Sequence, residues 1–495
     1  MRILLIDPPL SSESLSIGLG SIASFLIQHG HEVRVFDLTN ERRLEYERTR
    51  SYARWGPDIV GISVNSFSTS HARVLASTFS TLSPTAKIIA GGPEPSSRPL
   101  WFLEKFPEFH YSVQGDGEEP MLELAERREP AGIVGLYDRK RPFPHEVASM
   151  VEDLDKLPFP DYDVFDSVSG HLDRYPIMTS RGCPFNCSFC LNSVLSKRKW
   201  RARSPGHVIE EIRAAKERYG FRILDIWDDC FTLDLDRAKR ILRMIKSEHL
   251  GIEVCMGNGV RADRVDADFL QLLREVGGKT LWFGAEDLNP DTAAWIRKGE
   301  TPEQIERAIS LAKNEGFDVG VTMIIGLPGQ TRESVEYSLR QVKRLSVRAQ
   351  WFHATPFVGT RLHDWALRNS TMLVEPDAYS VQAPAAKGLR AVIFETSAFT
   401  KAERLDFFYR ANIASNDLEW LAQVEPHLYR ILWRYDKTKC LEYISRKTLS
   451  RLRGRVERFR WRHQTRLREV AARLAKGEIT PKVAISTLSG KGHVP

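Results

Sequence analysis

Short apolar runs at 2–6, 32–36, 59–63, 87–90 and 111–113 alternate with longer stretches of helix-like patterning. This is the pattern of parallel strands joined by helices, so residues 1–140 are expected to form a doubly wound, Rossmann-like α/β domain. Each expected strand stops at loop-forming residues: Asp7-Pro8-Pro9, then 37–40, 65–68, Gly91-Gly92-Pro93 and Gly115-Asp116-Gly117-Glu118. Ligands of open α/β sheets bind beyond the carboxyl ends of the strands, which makes these five loops a candidate ligand edge.

Residues 141–174 are rich in Pro and Asp and read as a linker laid over the surface. A second α/β series occupies 175–390. Its apolar strands are expected at 177–179, 223–227, 253–256, 280–284, 319–325 and 350–354, with amphipathic helices such as 205–219 and 302–315 between them. Six strand–helix units predict a full or partial parallel barrel, whose functional residues sit at the carboxyl ends of strands. Residues 391–495 read as a mainly helical C-terminal domain, with Thr400 as N-cap of a helix over 401–412.

Composition narrows the class. The 495 residues suit two or three domains, and 42% hydrophobic with 27% charged residues is the balance of a globular protein. No apolar run approaches a membrane span and the N-terminus lacks a signal-peptide layout, so a cytoplasmic location is expected. The net charge of +7 suggests nucleic acid until its distribution is considered. Residues 446–476 carry twelve Lys or Arg against Glu457 and Glu469, a local excess of ten positive charges that leaves the remainder three units negative. The basicity belongs to the tail, whose Phe459 and Trp461 among arginines could stack bases or meet a membrane surface. Basic runs are usually solvated helix faces, and nucleic acid is not the expected partner.

Six cysteines are too few for a disulfide scaffold, yet three fall in Cys183-Pro184-Phe185-Asn186-Cys187-Ser188-Phe189-Cys190, just after an expected strand. Three thiolates on one tight loop suit an iron–sulfur cluster with one iron left open to a small molecule. Zinc wants four ligands, and neither a fourth cysteine nor a histidine pair stands nearby at zinc-like spacing. Cys230, Cys255 and Cys440 lie in largely apolar surroundings and read as buried small hydrophobes.

The C-x3-C-x2-C motif, with Phe189 before its last cysteine, resembles the cluster motif of radical S-adenosylmethionine enzymes. Asp228-Asp229-Cys230-Phe231-Thr232 resembles the acidic end of that family's second strand. The run from Met323 through Gly326-Leu327-Pro328-Gly329 to Thr331 resembles the glycine-rich segment against adenosine, and Thr355-Pro356-Phe357-Val358-Gly359-Thr360 a late-barrel motif. The N-terminal segment is similar to the cobalamin-binding domain of the cobalamin-dependent branch, through Asp7-Pro8-Pro9, Ile17-Gly18-Leu19-Gly20, Val60-Gly61-Ile62-Ser63, Gly91-Gly92-Pro93 and Gly115-Asp116-Gly117-Glu118-Glu119. No D-x-H-x-x-G follows the first strand, so no histidine is supplied there to ligate cobalt from below. The chain has no cysteine before Cys183, which disfavours the methylthiotransferase branch with its second, N-terminal cluster.

The resemblance implies a [4Fe-4S] cluster on Cys183, Cys187 and Cys190, S-adenosylmethionine at Asp229, Arg261, Glu286 and Gly326, and cobalamin at Pro8, Ser63, Gly91, Gly92, Gly115, Gly117 and Glu118. His353 and Thr355 are candidate contacts to a small-molecule substrate. The implied activity is a C-methyltransferase acting on an unactivated carbon: a 5′-deoxyadenosyl radical abstracts hydrogen, methylcobalamin donates the methyl group, and a second S-adenosylmethionine remethylates the corrin. An electron donor such as flavodoxin or ferredoxin is the implied partner. A cyclase or ring-rearranging enzyme with the same cofactors is the alternative, and a nucleic-acid-binding protein using the basic tail the alternative of another class.

Overall fold

The computed structural model describes residues 1–9, 14–39, 46–139, 148–374, 391–415, 428–436 and 439. Five strands of the N-terminal sheet run parallel in the order β2-β1-β3-β4-β5: β1 (Arg2–Asp7), β2 (Glu32–Asp37), β3 (Ile59–Ser63), β4 (Lys87–Gly91) and β5 (Tyr111–Val113). β6 (Leu136–Tyr137) adds an antiparallel edge that the sequence pattern did not suggest, being only two residues long. Ile3, Leu4, Leu5 and Ile6 of β1 are all buried, as a central strand covered on both faces requires. The strand order reverses between β1 and β3, so the crevice of this sheet opens beyond Asp7 and Ser63.

The second series forms six parallel strands in two three-stranded sheets. The first contains β7 (Arg174–Ile177), β10 (Ile223–Ile226) and β11 (Glu253–Met256), the second β12 (Thr280–Glu286), β13 (Asp318–Ile325) and β14 (Arg348–His353). A bridge between Val260 and Phe283 links the two into a partial barrel. A short antiparallel ribbon, β8 (Ser180–Arg181) with β9 (Arg201–Ala202), rises from the end of β7, and β15 (Thr371–Met372) pairs with β16 (Phe394–Glu395). β7 ends where the sequence pattern placed its start, because Tyr175 and Ile177 fill the buried positions while Thr179 is held by side-chain bonds.

Local signals set the helices. Ser204 caps Pro205–Tyr219 with Pro205 at its first position, and Gly220 ends it in the left-handed region at φ +65°. Thr301 and Gln304 form a capping box for Pro302–Asn314, as do Thr400 and Glu403 for Lys401–Ala414. That last helix packs on β14: Trp351 donates its backbone N–H to the Asn412 side-chain oxygen at 3.0 Å and its indole N–H to the Ser415 hydroxyl at 3.2 Å. Separately, Leu428–Tyr435 is helical; the basic run 446–476, Phe459, Trp461 and Cys440 lie outside the described residues.

The segment read as a surface linker is a buried strap. Tyr162 and Phe165 are fully enclosed, Phe165 bridges Val35 of β2, and Val151, Leu154 and Leu157 cluster with Phe25. Two aromatic side chains in a Pro/Asp-rich context supply apolar area that is stabilising only when covered. No described helix is long and apolar enough to cross a membrane.

Candidate functional site

The cysteine loop leaves the β8 end of the ribbon through Gly182, whose φ of +86° and close approach to the Lys199 carbonyl exclude a side chain. Asp228, 2% exposed, holds the stem: its carboxylate accepts from the Thr179 N–H, the Thr179 hydroxyl and the Ser180 hydroxyl, each at 2.6 Å. Asp229 accepts the Gly182 N–H at 3.0 Å and bonds Asn192. On the far side, Ser188 donates its N–H to Ile296 and its hydroxyl to Trp295, and accepts from Leu362, each at 2.8 Å. Phe189 packs with Ile324 against a cluster that includes Leu327, Leu362 and Phe394. The loop is thus tied to both halves of the barrel.

Two cations stand over it. The Arg261 guanidinium lies 3.5 Å from the Phe185 ring and is bonded to Asp263 at 2.9 Å and the Lys298 carbonyl at 2.8 Å. The Lys298 ammonium pairs with Glu286 at 3.3 Å and Glu300 at 2.9 Å, and also bonds the Gly284 carbonyl. Burial pushes the Cys187 thiol up to about 12 and raises Cys190; Lys298 and Arg261 oppose that rise at Cys187. Cys183 is lowered to about 7, chiefly by the hydrogen bond from the Cys230 thiol, against its own burial. Among the described residues no three His, Cys, Asp or Glu side chains close on one point as the ligands of a single ion do. The fit to an iron–sulfur cluster rests on the donor set: three partly accessible thiols on one loop beside two cations that favour the thiolate form.

The residues expected to meet S-adenosylmethionine divide. Glu286 sits at the carboxyl end of β12 with φ +61°, unusual for a residue with a side chain, in a register shift that turns it toward Lys298. Burial raises its carboxyl pKa, with Lys298 opposing. Asp229 remains solvent-accessible although surrounding protein raises its pKa, the signature of a concave wall. Arg261 is already committed to Phe185, Asp263 and the Lys298 carbonyl. At Gly326, φ +95°, an added Cβ would collide with the Arg404 guanidinium, so a side chain is excluded there. Gln330 closes that turn by accepting the Gly326 N–H at 2.6 Å and the Leu327 N–H at 3.0 Å.

His353 does not face the barrel interior. It shares an outward face of β14 with Trp351 and stacks on Phe408 at 4.9 Å, with neither ring nitrogen hydrogen-bonded among the described residues. Thr355 stands half-buried on the rim, its carbonyl accepting from Phe357 at 2.9 Å. The inner face is carried by Trp282, which lies across Gly320, and by half-buried Thr322 and Ile324.

At the N-terminal edge the glycines have separate reasons. Gly92 (φ +99°) meets the Val64 backbone, Gly115 (φ +94°) the Ser149 carbonyl, and Gly117 the Ile22 side chain. Gly91 alone of these four has open space where a Cβ would stand, beside half-buried Ser63 with which it is in register, and Pro8 is buried behind the end of β1. A flat corrin face fits against Gly91 and Ser63. Glu118 is turned away from that edge: it is 1% exposed and accepts from Ser21 and Arg181, each at 2.7 Å, so it joins the two α/β units. Sequence reasoning missed Arg181, Arg201, Lys298 and Glu300. The Arg181-Gly182-Cys183 and Lys298-Gly299-Glu300 runs, charges beside glycines in an otherwise apolar barrel, were the available signals.

Comparison with known proteins agrees with this geometry. Family models for the radical SAM superfamily and the B12 binding domain match residues 177–342 and 10–125. An uncharacterized methyltransferase of Pyrococcus horikoshii is 30% identical over 437 residues, covering 84% of this chain and 95% of that protein. An anaerobic magnesium-protoporphyrin IX monomethyl ester cyclase of Synechocystis is 27% identical over 339 residues, covering 64% and 67%. The radical S-adenosylmethionine methyltransferase TsrM of Kitasatospora setae, with cobalamin and a [4Fe-4S] cluster bound, superposes with a TM-score of 0.66 at 20% identity, covering 84% of this chain and 89% of that one, a likeness of fold. The chain belongs to the cobalamin-dependent radical S-adenosylmethionine enzymes, whose cofactors are a [4Fe-4S] cluster, S-adenosylmethionine and cobalamin.

Proposed function

We propose that the chain is a C-methyltransferase acting on an unactivated carbon of a small metabolite. The observation that carries this reading is the 30% identity to the P. horikoshii methyltransferase along 95% of its length. When bound, the cluster supplies the electron that cleaves S-adenosylmethionine, and cobalamin supplies the methyl carrier.

In this reading Cys183, Cys187 and Cys190 hold the cluster, and Lys298 and Arg261 offset thiolate charge. Asp228 fixes the loop stem. Glu286 and the accessible side of Asp229 meet the polar groups of S-adenosylmethionine, Gly91, Ser63 and Pro8 floor the corrin, and Thr355 lines the substrate entrance. Residues 1–139 form the cobalamin domain, 148–174 the strap and 175–374 the barrel, with Lys401–Ala414 covering its last strand. A flavodoxin or ferredoxin is the fitting electron donor.

The test uses S-adenosylmethionine bearing a trideuterated methyl group. A methyltransferase gives labelled product, with 5′-deoxyadenosine and S-adenosylhomocysteine in a ratio near one. The cyclase relative supports a second reading, ring closure, which gives unlabelled product and little S-adenosylhomocysteine beyond a first remethylation.

A further inference from the structure

Two arginines on the cysteine-loop ribbon are paired directly across from each other, Arg181 on β8 and Arg201 on β9. Like charges opposite on a ribbon repel, so this pairing needs carboxylates from elsewhere. The N-terminal unit provides them. Arg181 donates to Glu118 at 2.7 Å and to Ser21 at 3.0 Å, and approaches Asp116 at 3.3 Å. Arg201 donates to Asp116 and to the Val151 carbonyl, both at 2.5 Å, and Asp116 also accepts the Val151 N–H at 2.9 Å. The Glu118 side chain is 2% exposed, Arg201 9%, Asp116 15% and Arg181 17%, so the four groups form a desolvated, neutral cluster.

Its position is what matters. Asp116 and Glu118 flank Gly117 where the loop after β5 enters the next helix, and their side chains reach toward the barrel, whereas Arg181 stands two residues before Cys183. We propose that the Arg181–Arg201–Asp116–Glu118 cluster is an interdomain clamp that sets the separation and orientation of the cluster loop relative to the corrin edge. These are positioning residues; none needs to touch a cofactor. Arg181 spans two carboxylates, Nη2 on Glu118 and Nη1 on Asp116, and a planar guanidinium with fixed donor directions holds such a bridge in one geometry. The proposal rests on the cofactor placement given above, but not on which product is made.

The experiment uses holoenzyme carrying both cofactors and three variants: Arg181→Met, Glu118→Gln and Arg181→Lys. The principal readout is the dipolar coupling between the reduced cluster and cob(II)alamin by pulsed electron paramagnetic resonance, with iron, sulfide and cobalamin content measured alongside. The clamp predicts full cofactor content, a broadened or shifted coupling in Arg181→Met and Glu118→Gln, and a smaller change in Arg181→Lys, which keeps the charge and loses the fork. It also predicts faster amide exchange at 148–151 in cofactor-free protein, and at least a tenfold rise in 5′-deoxyadenosine formed per product. Coupling and exchange unchanged in the Met and Gln variants would overturn the proposal. Should Arg181→Met fail to fold, Arg181→Lys and Glu118→Gln decide alone. Unlabelled product from the wild-type enzyme, with the coupling still shifted in the Met and Gln variants, would contradict the methyltransferase reading and leave the clamp standing.

Discussion

The cysteine loop of the barrel and the glycine loops of the N-terminal sheet both lie beyond the carboxyl ends of parallel strands, yet they are held by different means. Side chains hold much of the first: Asp228, Asp229 and Arg261 bond or stack on the loop and its stem, and Ser188 ties its middle to Trp295, Ile296 and Leu362. Backbone packing holds the second, with Gly92 against Val64 and Gly115 against Ser149. A loop that must present reactive thiols is fixed by groups that can be replaced one at a time; a loop that must present a flat surface is fixed by leaving side chains out.

The largest effect expected from this contrast is at the thiols. Replacing Cys183, Cys187 and Cys190 by alanine should abolish the cluster's visible absorbance and all 5′-deoxyadenosine formation, while cobalamin binding at the other edge persists. Retention of full iron and sulfide in the triple variant would sink the cluster assignment.

Next comes the stem. Asp228→Ala strands buried donors at Thr179 and Ser180, at a cost of about 3 kcal/mol. We expect a lower melting temperature and reduced cluster content in the same variant. Asp228→Asn, which keeps an acceptor, should retain more of both. Equal losses in the two would mean that the carboxylate does not organise the loop.

The sheet edge gives a paired test of smaller size. Gly115→Ala forces a side chain into the left-handed region against the Ser149 carbonyl, with a cost of roughly 1–3 kcal/mol to the fold. Gly91→Ala meets nothing within 4 Å and should change stability by less than about 0.5 kcal/mol. If the corrin rests on that face, Gly91→Ala nevertheless weakens cobalamin binding, measured by titration of the cofactor-free protein. A Gly91→Ala variant with wild-type affinity would move the corrin contact elsewhere.

The same contrast explains what the sequence could disclose. Alternating apolar runs located ten of the eleven principal strands to within a residue or two, because parallel strands buried on both faces admit little but apolar residues. Cys183, Cys187 and Cys190 were legible because their spacing is itself the chemistry. Glu118, Arg261 and Gly326 could not be resolved from sequence, because a charged or small residue at a strand end is equally suited to a ligand and to a partner from another element. Arg181, Phe185 and Arg404, the partners they meet in the fold, are separated from them by 63, 76 and 78 positions of chain. The strap was misread for a related reason: Tyr162 and Phe165 are apolar signals whose cover comes from elements distant in sequence, including Val35 and Tyr219.

The smallest effect on turnover concerns His353, which the strand alternation turns away from the inner face. Its ring is buried against Phe408 with both nitrogens lacking a hydrogen bond among the described residues, and burial, assisted by Arg404, depresses its pKa to about 3. The unfolded chain protonates this histidine near pH 6.5 and the folded chain does not, so the unfolded state binds the extra proton between those values. Stability therefore falls as the pH drops from about 6.5 toward 3, by at most about 1.4 kcal/mol per pH unit. His353→Phe removes that linkage and preserves the stacked shape. We expect turnover at neutral pH within about twofold of wild type, together with a shallower loss of stability between pH 6.5 and 4.5 in urea titrations. A large drop in turnover without loss of fold would return His353 to the substrate side of the barrel.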